Sequence, residues 1–330
     1  MERNYYYDNY KAVLIVFVVT THFLGGMAGE TGWIKTYTIF TNLFYMPAFI
    51  MISGIFSKDN NLIKLIKNIL LPYFFFQIIN LLIDWLVLKQ NISFSLLMPE
   101  FTLWYLLSLF FWRFLIDNFM KLKYPLLFSV ILSLIVGLDS NVGGLLSLSR
   151  TFYYFPFFIL GYQLKEKNIS KIQKKSIQAI AIGIIIITIA IIFFTCEGYS
   201  EFYFRGSTSY EGLGQTIGQG IVFRVFCYII AIILTFCIAM LITKKKKSFS
   251  LLGSRTMSVY MWHGLIYRIL RYGTPIYTLL ATSGRQGHLV LVLFTLFIIL
   301  ILASAPFSYL TGMVSKIPIN ILLKTSRRNA

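Results

Sequence analysis

Long apolar runs alternate with short polar segments along the whole chain. Ten of the runs are long enough, or nearly so, to cross a bilayer as helices. They predict helices over about 11–29, 37–56, 68–88, 102–119, 124–138, 151–164, 177–195, 219–242, 256–271 and 288–311. The fifth, sixth and ninth are short for a span and are expected to extend into flanking polar residues or to be partly broken. No repeat period stands out, and no polar stretch is long enough to fold apart from the bundle. The expectation is therefore a single membrane-embedded, all-α domain over 1–330, a polytopic helix bundle of about ten transmembrane helices.

Composition supports the same class. Of 330 residues, 57% are hydrophobic and 13% charged, with a mean hydropathy of +0.74, which excludes an ordinary soluble domain. A net charge of +18 would point to nucleic acid in a soluble chain. Here the basic residues follow topology instead. With a cytoplasmic N-terminus, 22 of the 30 basic residues fall on the inner side of the ten-helix layout and 8 on the outer side. That bias predicts both termini inside and removes nucleic acid as an expected partner. The first run could pass for a signal peptide, but an acidic flank and an embedded histidine argue for a retained helix. Cys196, Cys227 and Cys237 sit in or beside apolar runs. Cys227 and Cys237 are ten helical residues apart, roughly 15 Å, too far for a disulfide.

Chemistry enters where ionisable groups interrupt apolar runs. Within DNYKAVLIVFVVTTH, His22 lies eleven residues after Lys11, three helical turns plus about 20°, so both share one face roughly 16 Å apart. Asp8 lies within about 60° of that face. An ionisable side chain near mid-membrane marks a functional site by default, because its desolvation must be offset. A neutral imidazole can take the proton of a hydroxyl as that hydroxyl attacks a carbonyl, which is the chemistry of acyl transfer.

His263, in SRTMSVYMWHGLIY, has Tyr260 one turn earlier on its face; it reads equally well as a structural histidine bonded to a neighbouring helix. His288 reads as a solvated histidine at the outer surface. The histidines lack partners at metal-ligand spacing, so no metal is expected. In KLIKNILLPY, Lys64 and Lys67 stand one turn apart at the inner mouth of the third helix, with Lys58 nearby and Pro72 following. This cluster could hold the phosphates of a nucleotide-bearing donor or meet lipid headgroups. Before it, Ser53 and Gly54 permit close helix approach. Arg150, Tyr153 and Tyr154 precede Pro156, a predicted kink, and Arg150 reads equally as a surface residue. The loop at 197–218, rich in Tyr, Phe and Gly, suits sugar stacking or an interfacial belt. There is no glycine-rich phosphate loop and no GxSxG elbow.

Five motifs in order, D-x-x-K-x(10)-H, PAFIMISG followed by KLIKNILLPY, LWYLLSLFF, FPFFILGY and SVYMWHGLIY, resemble the integral-membrane acyltransferase family 3. Within it, the nearest likeness is to the fucose 4-O-acetylase group that modifies bacterial surface polysaccharides. The resemblance implies a catalytic His22; Asp8, close to the same face, is expected to join it in the catalytic set by orienting the donor site or pairing Lys11. It also implies that Lys11 and the Lys64/Lys67 pair bind the donor, acetyl-CoA; the family's Arg-x-x-Arg pair is lysine here, which keeps charge but loses bidentate geometry. Ser53, Tyr260 and His263 complete the expected donor-site set. Some relatives carry an extracytoplasmic hydrolase-like domain after the bundle; this sequence shows none before Ala330, which implies direct transfer.

The expected function is transfer of an acetyl group from cytoplasmic acetyl-CoA to a sugar hydroxyl of a surface polysaccharide or its lipid-linked precursor, in a bacterial plasma membrane. A precursor transporter or flippase is the rival reading, and succinyl transfer a nearer variant.

Overall fold

The computed structural model describes residues 4–27, 32–57, 60–89, 94–164, 173–195 and 199–317, and every regular element among them is helical. The long helices are α1 (Tyr5–Gly25), α2 (Gly32–Ile55), α3 (Leu62–Leu86), α4 (Trp104–Phe119), α5 (Pro125–Val136), α6 (Leu148–Gln163), α7 (Lys175–Thr195) and α8 (Ile217–Leu241). A short α9 (Ser250–Ser254) leads into α10 (Thr256–Gly273). Helices α11 (Ile276–Thr282), α12 (Gly284–Leu302) and α13 (Ala305–Val314) follow.

Apolar periodicity located the long helices, but it gave neither short helix α9 nor α11, and one run needs correction. The run at 288–311 is two helices, α12 and α13, because Ser304 leaves the helical region (ψ 164°) and Pro306 stands in the first turn of α13. A proline lacks the N–H that would continue α12, whereas the first turn of a new helix leaves that N–H unused anyway.

By length and composition, α2, α3, α7, α8 and α12 can each cross a membrane. The outer surface demands that setting. In α7 only Ala181 and Ile192 are buried, while Ile180, Ile186 and Ile187 are about 60% exposed. Each such side chain facing water forfeits up to about 1.5–3 kcal/mol relative to an apolar environment, so this face is built for hydrocarbon.

Helices α1 and α2 form the centre. Helix α1 packs against α2, α9, α10 and α12, and α2 also meets α6, α7 and α8. Helices α2 and α6 cross backbone to backbone. A β-carbon on Gly54 would lie 2.1 Å from the Phe158 carbonyl oxygen, and one on Gly161 would lie 2.0 Å from that of Met51. The close approach expected at Ser53–Gly54 is thus made against α6, and the glycine of FILGY is its other half.

Candidate active site

Polar side chains fix the rotation of α1. The Tyr6 and Tyr10 hydroxyls donate to the Ala239 and Thr235 carbonyls of α8, at 3.0 and 2.7 Å. Asn9 donates to the carbonyls of Thr243 and Lys245 and accepts from Ser250, tying the lysine run at 244–247 to the first helix. Gly253 lets α9 lie against the Asp8 carbonyl, where a β-carbon would stand 1.6 Å away. With its rotation set, α1 presents Lys11 to one cavity and His22 to another.

The first cavity, of about 330 Å³, is mostly apolar with a basic, polar mouth. Lys11 enters from α1, Ser53 from the last turns of α2, Asn68 from α3, Arg113 from α4 and Thr256 from the start of α10. Lys11 Nζ pairs with Asp8 at 3.1 Å. Arg113 donates to Asn60, which itself bonds Asp117. Local sequence explains Asn68. Pro72 has no N–H for the carbonyl four residues back, and α3 answers with a π-helical stretch, Ile66–Leu70, closed by Leu71 N–H to the Ile66 carbonyl. Asn68 sits inside that stretch.

The second cavity, of about 80 Å³, lies toward the opposite end of α1. His22 lines it with Asn42 and Tyr45 of α2, Phe101, Thr102 and Trp104 at the entry to α4, Arg150 and Tyr154 of α6, and Arg205. Arg205 comes from the segment at 199–216, which folds into two 3-10 turns, Glu201–Phe204 and Glu211–Leu213. That segment caps the bundle and is not a free loop. The Tyr210 amide and hydroxyl donate to the carbonyls of Gly137 and Leu134, and Ser149 donates to Gly206.

Val18, Met46, Tyr105 and Tyr260 line both cavities. The two tyrosine rings meet edge-on at 5.5 Å. Tyr105 shares a 2.6 Å hydrogen bond with Ser53, whose hydroxyl also bonds the Phe49 carbonyl, and the Tyr260 hydroxyl donates to the Thr102 carbonyl.

His22 packs against Phe101 at 4.9 Å and His263 at 5.5 Å, ring centre to ring centre. His263 is fully buried, and its Nδ1 lies 3.0 Å from the Val259 carbonyl one turn earlier. A carbonyl can only accept, so Nδ1 carries the proton and Nε2 keeps a lone pair, buried without a hydrogen-bond partner among the described residues. The structural alternative for His263 is corrected in one respect: the bond is to its own helix.

Phe101 adopts a left-handed backbone (φ 42°), a conformation a bulky residue enters only when its surroundings impose it. Gln77 donates to the carbonyls of Ser95 and Met98 and accepts the Glu100 N–H. Arg268 reaches Glu100 at 3.2 Å, Asn80 at 3.1 Å, and Asp84. Burial holds the Glu100 carboxyl above its ordinary range, and the Arg268 guanidinium pulls it back. Together these contacts clamp the segment that places Phe101 between His22 and Tyr267, on whose ring it stacks at 5.0 Å.

The structure therefore brings Lys11, Ser53 and Tyr260 to one cavity, and His22 and Tyr260 to the next. Asp8 sits on Lys11, fourteen residues or roughly 21 Å of helix from His22. Lys64 is exposed and Lys67 half-buried, one to four residues before Asn68, and neither lines the cavity. His288 is a correction. It is 3% exposed, not solvated, because α12 turns it against the edge of Trp33. Phe204 and Tyr210 of the aromatic segment likewise turn inward, while Tyr199 and Phe202 stay exposed. Lys58 and Cys196 lie outside the described residues. Cys227 and Cys237 are free and buried, and the described residues hold no cluster of three metal-ligating side chains.

Sequence reading missed Arg113, Arg205, Asn68, Tyr105 and Phe101, and left Arg150 undecided. Only the asparagine and arginines within apolar runs carried a signal.

A cavity lined by Lys11 and Arg113 and a smaller one lined by His22 thus share the wall formed by Val18, Met46, Tyr105 and Tyr260. Residues 4–313 match the sequence profile of the acyltransferase domain, and the chain belongs to acyltransferase family 3. It is a membrane acyltransferase. No curated protein and no solved structure matches it.

Proposed function

We propose that the protein transfers an acetyl group from cytoplasmic acetyl-CoA to a sugar hydroxyl of a surface polysaccharide or its lipid-linked precursor, in the plasma membrane of a bacterium. The reading includes ten membrane spans with both termini inside, the arrangement that gives the basic residues their inner bias. The observation that carries it is the pair of cavities meeting at Tyr105 and Tyr260.

The first cavity fits an extended acyl-pantetheine arm. Its walls are largely apolar, and Lys11 and Arg113 stand where an anionic nucleotide would remain outside. Lys64 and Lys67 extend that cationic rim. The thioester then reaches the shared wall, and the acceptor hydroxyl enters from the His22 side.

His22 takes the hydroxyl proton as the oxygen bonds to the thioester carbonyl carbon. The tetrahedral adduct collapses, the carbon–sulfur bond breaks, and the thiolate of CoA leaves with the proton that His22 held. Phe101 and His263 confine the imidazole from two sides and so supply orientation.

The test measures acetyl content of surface polysaccharide in a deletion strain complemented with wild type or His22→Ala. Acetylation restored by wild type alone, at equal membrane abundance, is expected; full restoration by His22→Ala removes the assignment.

A further inference from the structure

Two guanidinium groups, Arg150 and Arg205, line the His22 cavity, and neither was needed to account for donor binding. Arg205 is paired with Glu201 at 2.7 Å. Arg150 lies over the Trp104 ring at 5.3 Å, and no carboxylate among the described residues is within ion-pair distance of it. Among the described residues, the two guanidiniums thus have one carboxylate partner between them, Glu201 on Arg205. A desolvated cation in a small cavity is costly unless a counter-charge arrives.

Neither substrate end placed here so far supplies that counter-charge. The donor's phosphates belong at the opposite mouth, with Lys11 and Arg113. The acetyl thioester that reaches the shared wall is neutral, and so is a plain sugar hydroxyl.

We infer that the acceptor is an anionic sugar, whose carboxylate or phosphate group docks on Arg150 and Arg205 and thereby brings its hydroxyl to His22. The inference rests on the acyl-transfer reading above and names the substrate class of that same site. A guanidinium offers paired donors that match either anion. The remaining lining is suited to a sugar ring. Trp104 and Phe101 contribute aromatic surface to the lining, and Tyr154 and Thr102 contribute hydroxyls. Glu201 holds Arg205 in place, and Arg150 is the one of the two without a carboxylate partner among the described residues.

The experiment uses the full chain in detergent or nanodiscs, with methyl glucuronide as the carboxylate probe, glucose 1-phosphate as the phosphate probe and methyl glucoside as the neutral one. Binding is read by thermal shift or calorimetry, and transfer by CoA release from acetyl-CoA. At least one anionic probe is expected to bind about tenfold or more tightly than the neutral glycoside, and the stronger arm identifies the anion. Arg150→Gln should erase that difference, and Arg150→Lys should restore part of it, with acetyl-CoA affinity unchanged in both.

Equal binding of neutral and anionic probes to the wild type overturns the inference. So does an Arg150→Gln variant that keeps the anion preference, or one that loses neutral-acceptor transfer to the same degree, because the arginine then serves the reaction and not recognition. Anion binding abolished by Arg150→Gln, with no CoA release under any acceptor, leaves the anion site standing and removes the acyl-transfer reading instead.

Discussion

The imidazole rings of His22 and His263 lie 5.5 Å apart and inclined by 31°, yet of the two it is His22 that lines the smaller of the two cavities meeting at Tyr105 and Tyr260. His263 spends its Nδ1 proton within its own helix. The two residues should separate in kinetics. His22→Ala is expected to lower kcat by about 10²–10⁴-fold, the usual contribution of a positioned base. His263→Ala should retain activity well above His22→Ala while lowering thermal stability, because it empties a fully buried site. Initial rates of CoA release together with melting temperatures in detergent check both.

Lys11 and Arg113 line the first cavity, whereas Lys64 and Lys67 do not. Lys11→Gln and Arg113→Gln should each weaken acetyl-CoA binding by about 10- to 100-fold, the value of one or more charge-assisted hydrogen bonds. Charge reversal at Lys64 and Lys67 should cost less and depend more steeply on ionic strength, as expected for charges at an exposed rim. Calorimetric titration with acetyl-CoA at two salt concentrations separates the groups.

The crossing of α2 and α6 leaves no room for side chains at Gly54 and Gly161. Gly161→Val should destabilise by more than about 2–3 kcal/mol, since overpacking forces backbone shifts. Nothing lies within 4 Å of a β-carbon built on Gly183 in α7. Gly183→Ala should therefore fold as wild type or slightly better, by relief of glycine's helix penalty. Membrane abundance and detergent melting temperature give the comparison.

Arg268 links Asp84, Glu100 and Asn80, and Asp84 Oδ1 has no hydrogen-bond partner among the described residues. Arg268→Met should cost about 3–5 kcal/mol, because two carboxylates lose their cation. Adding Asp84→Asn should recover part of that loss. A double-mutant cycle on thermal stability measures the coupling.

The helices were legible because a spanning or core segment must be apolar over many residues, whatever packs against it. The break at Ser304 was also legible in principle, since serine followed two residues later by proline is a helix start. What periodicity could not supply was the meeting of distant segments. Arg150 and Arg205 are 55 residues apart and come together only because the segment at 199–216 folds over the end of α6. A charge tally only places both among the eight basic residues on the outer side of the ten-helix layout. His288 shows the opposite error: position near a helix start read as solvent, while α12 rotates it against Trp33. Phe101 gave no sequence signal at all, for its left-handed backbone is imposed by Gln77, Arg268 and Tyr260.

Tyr105 and Tyr260 each belong to both cavities, so at this point the partition between them is a pair of phenol rings hinged on Ser53 and Thr102. In the reading proposed for this enzyme, neither substrate has to leave its own cavity. The nucleotide stays on its side and the sugar on its own, and only two carbons and an oxygen are handed over. In that reading donor and acceptor never need to share a pocket: each fills a cavity of its own, and the two tyrosines mark the place where the acyl group leaves one for the other.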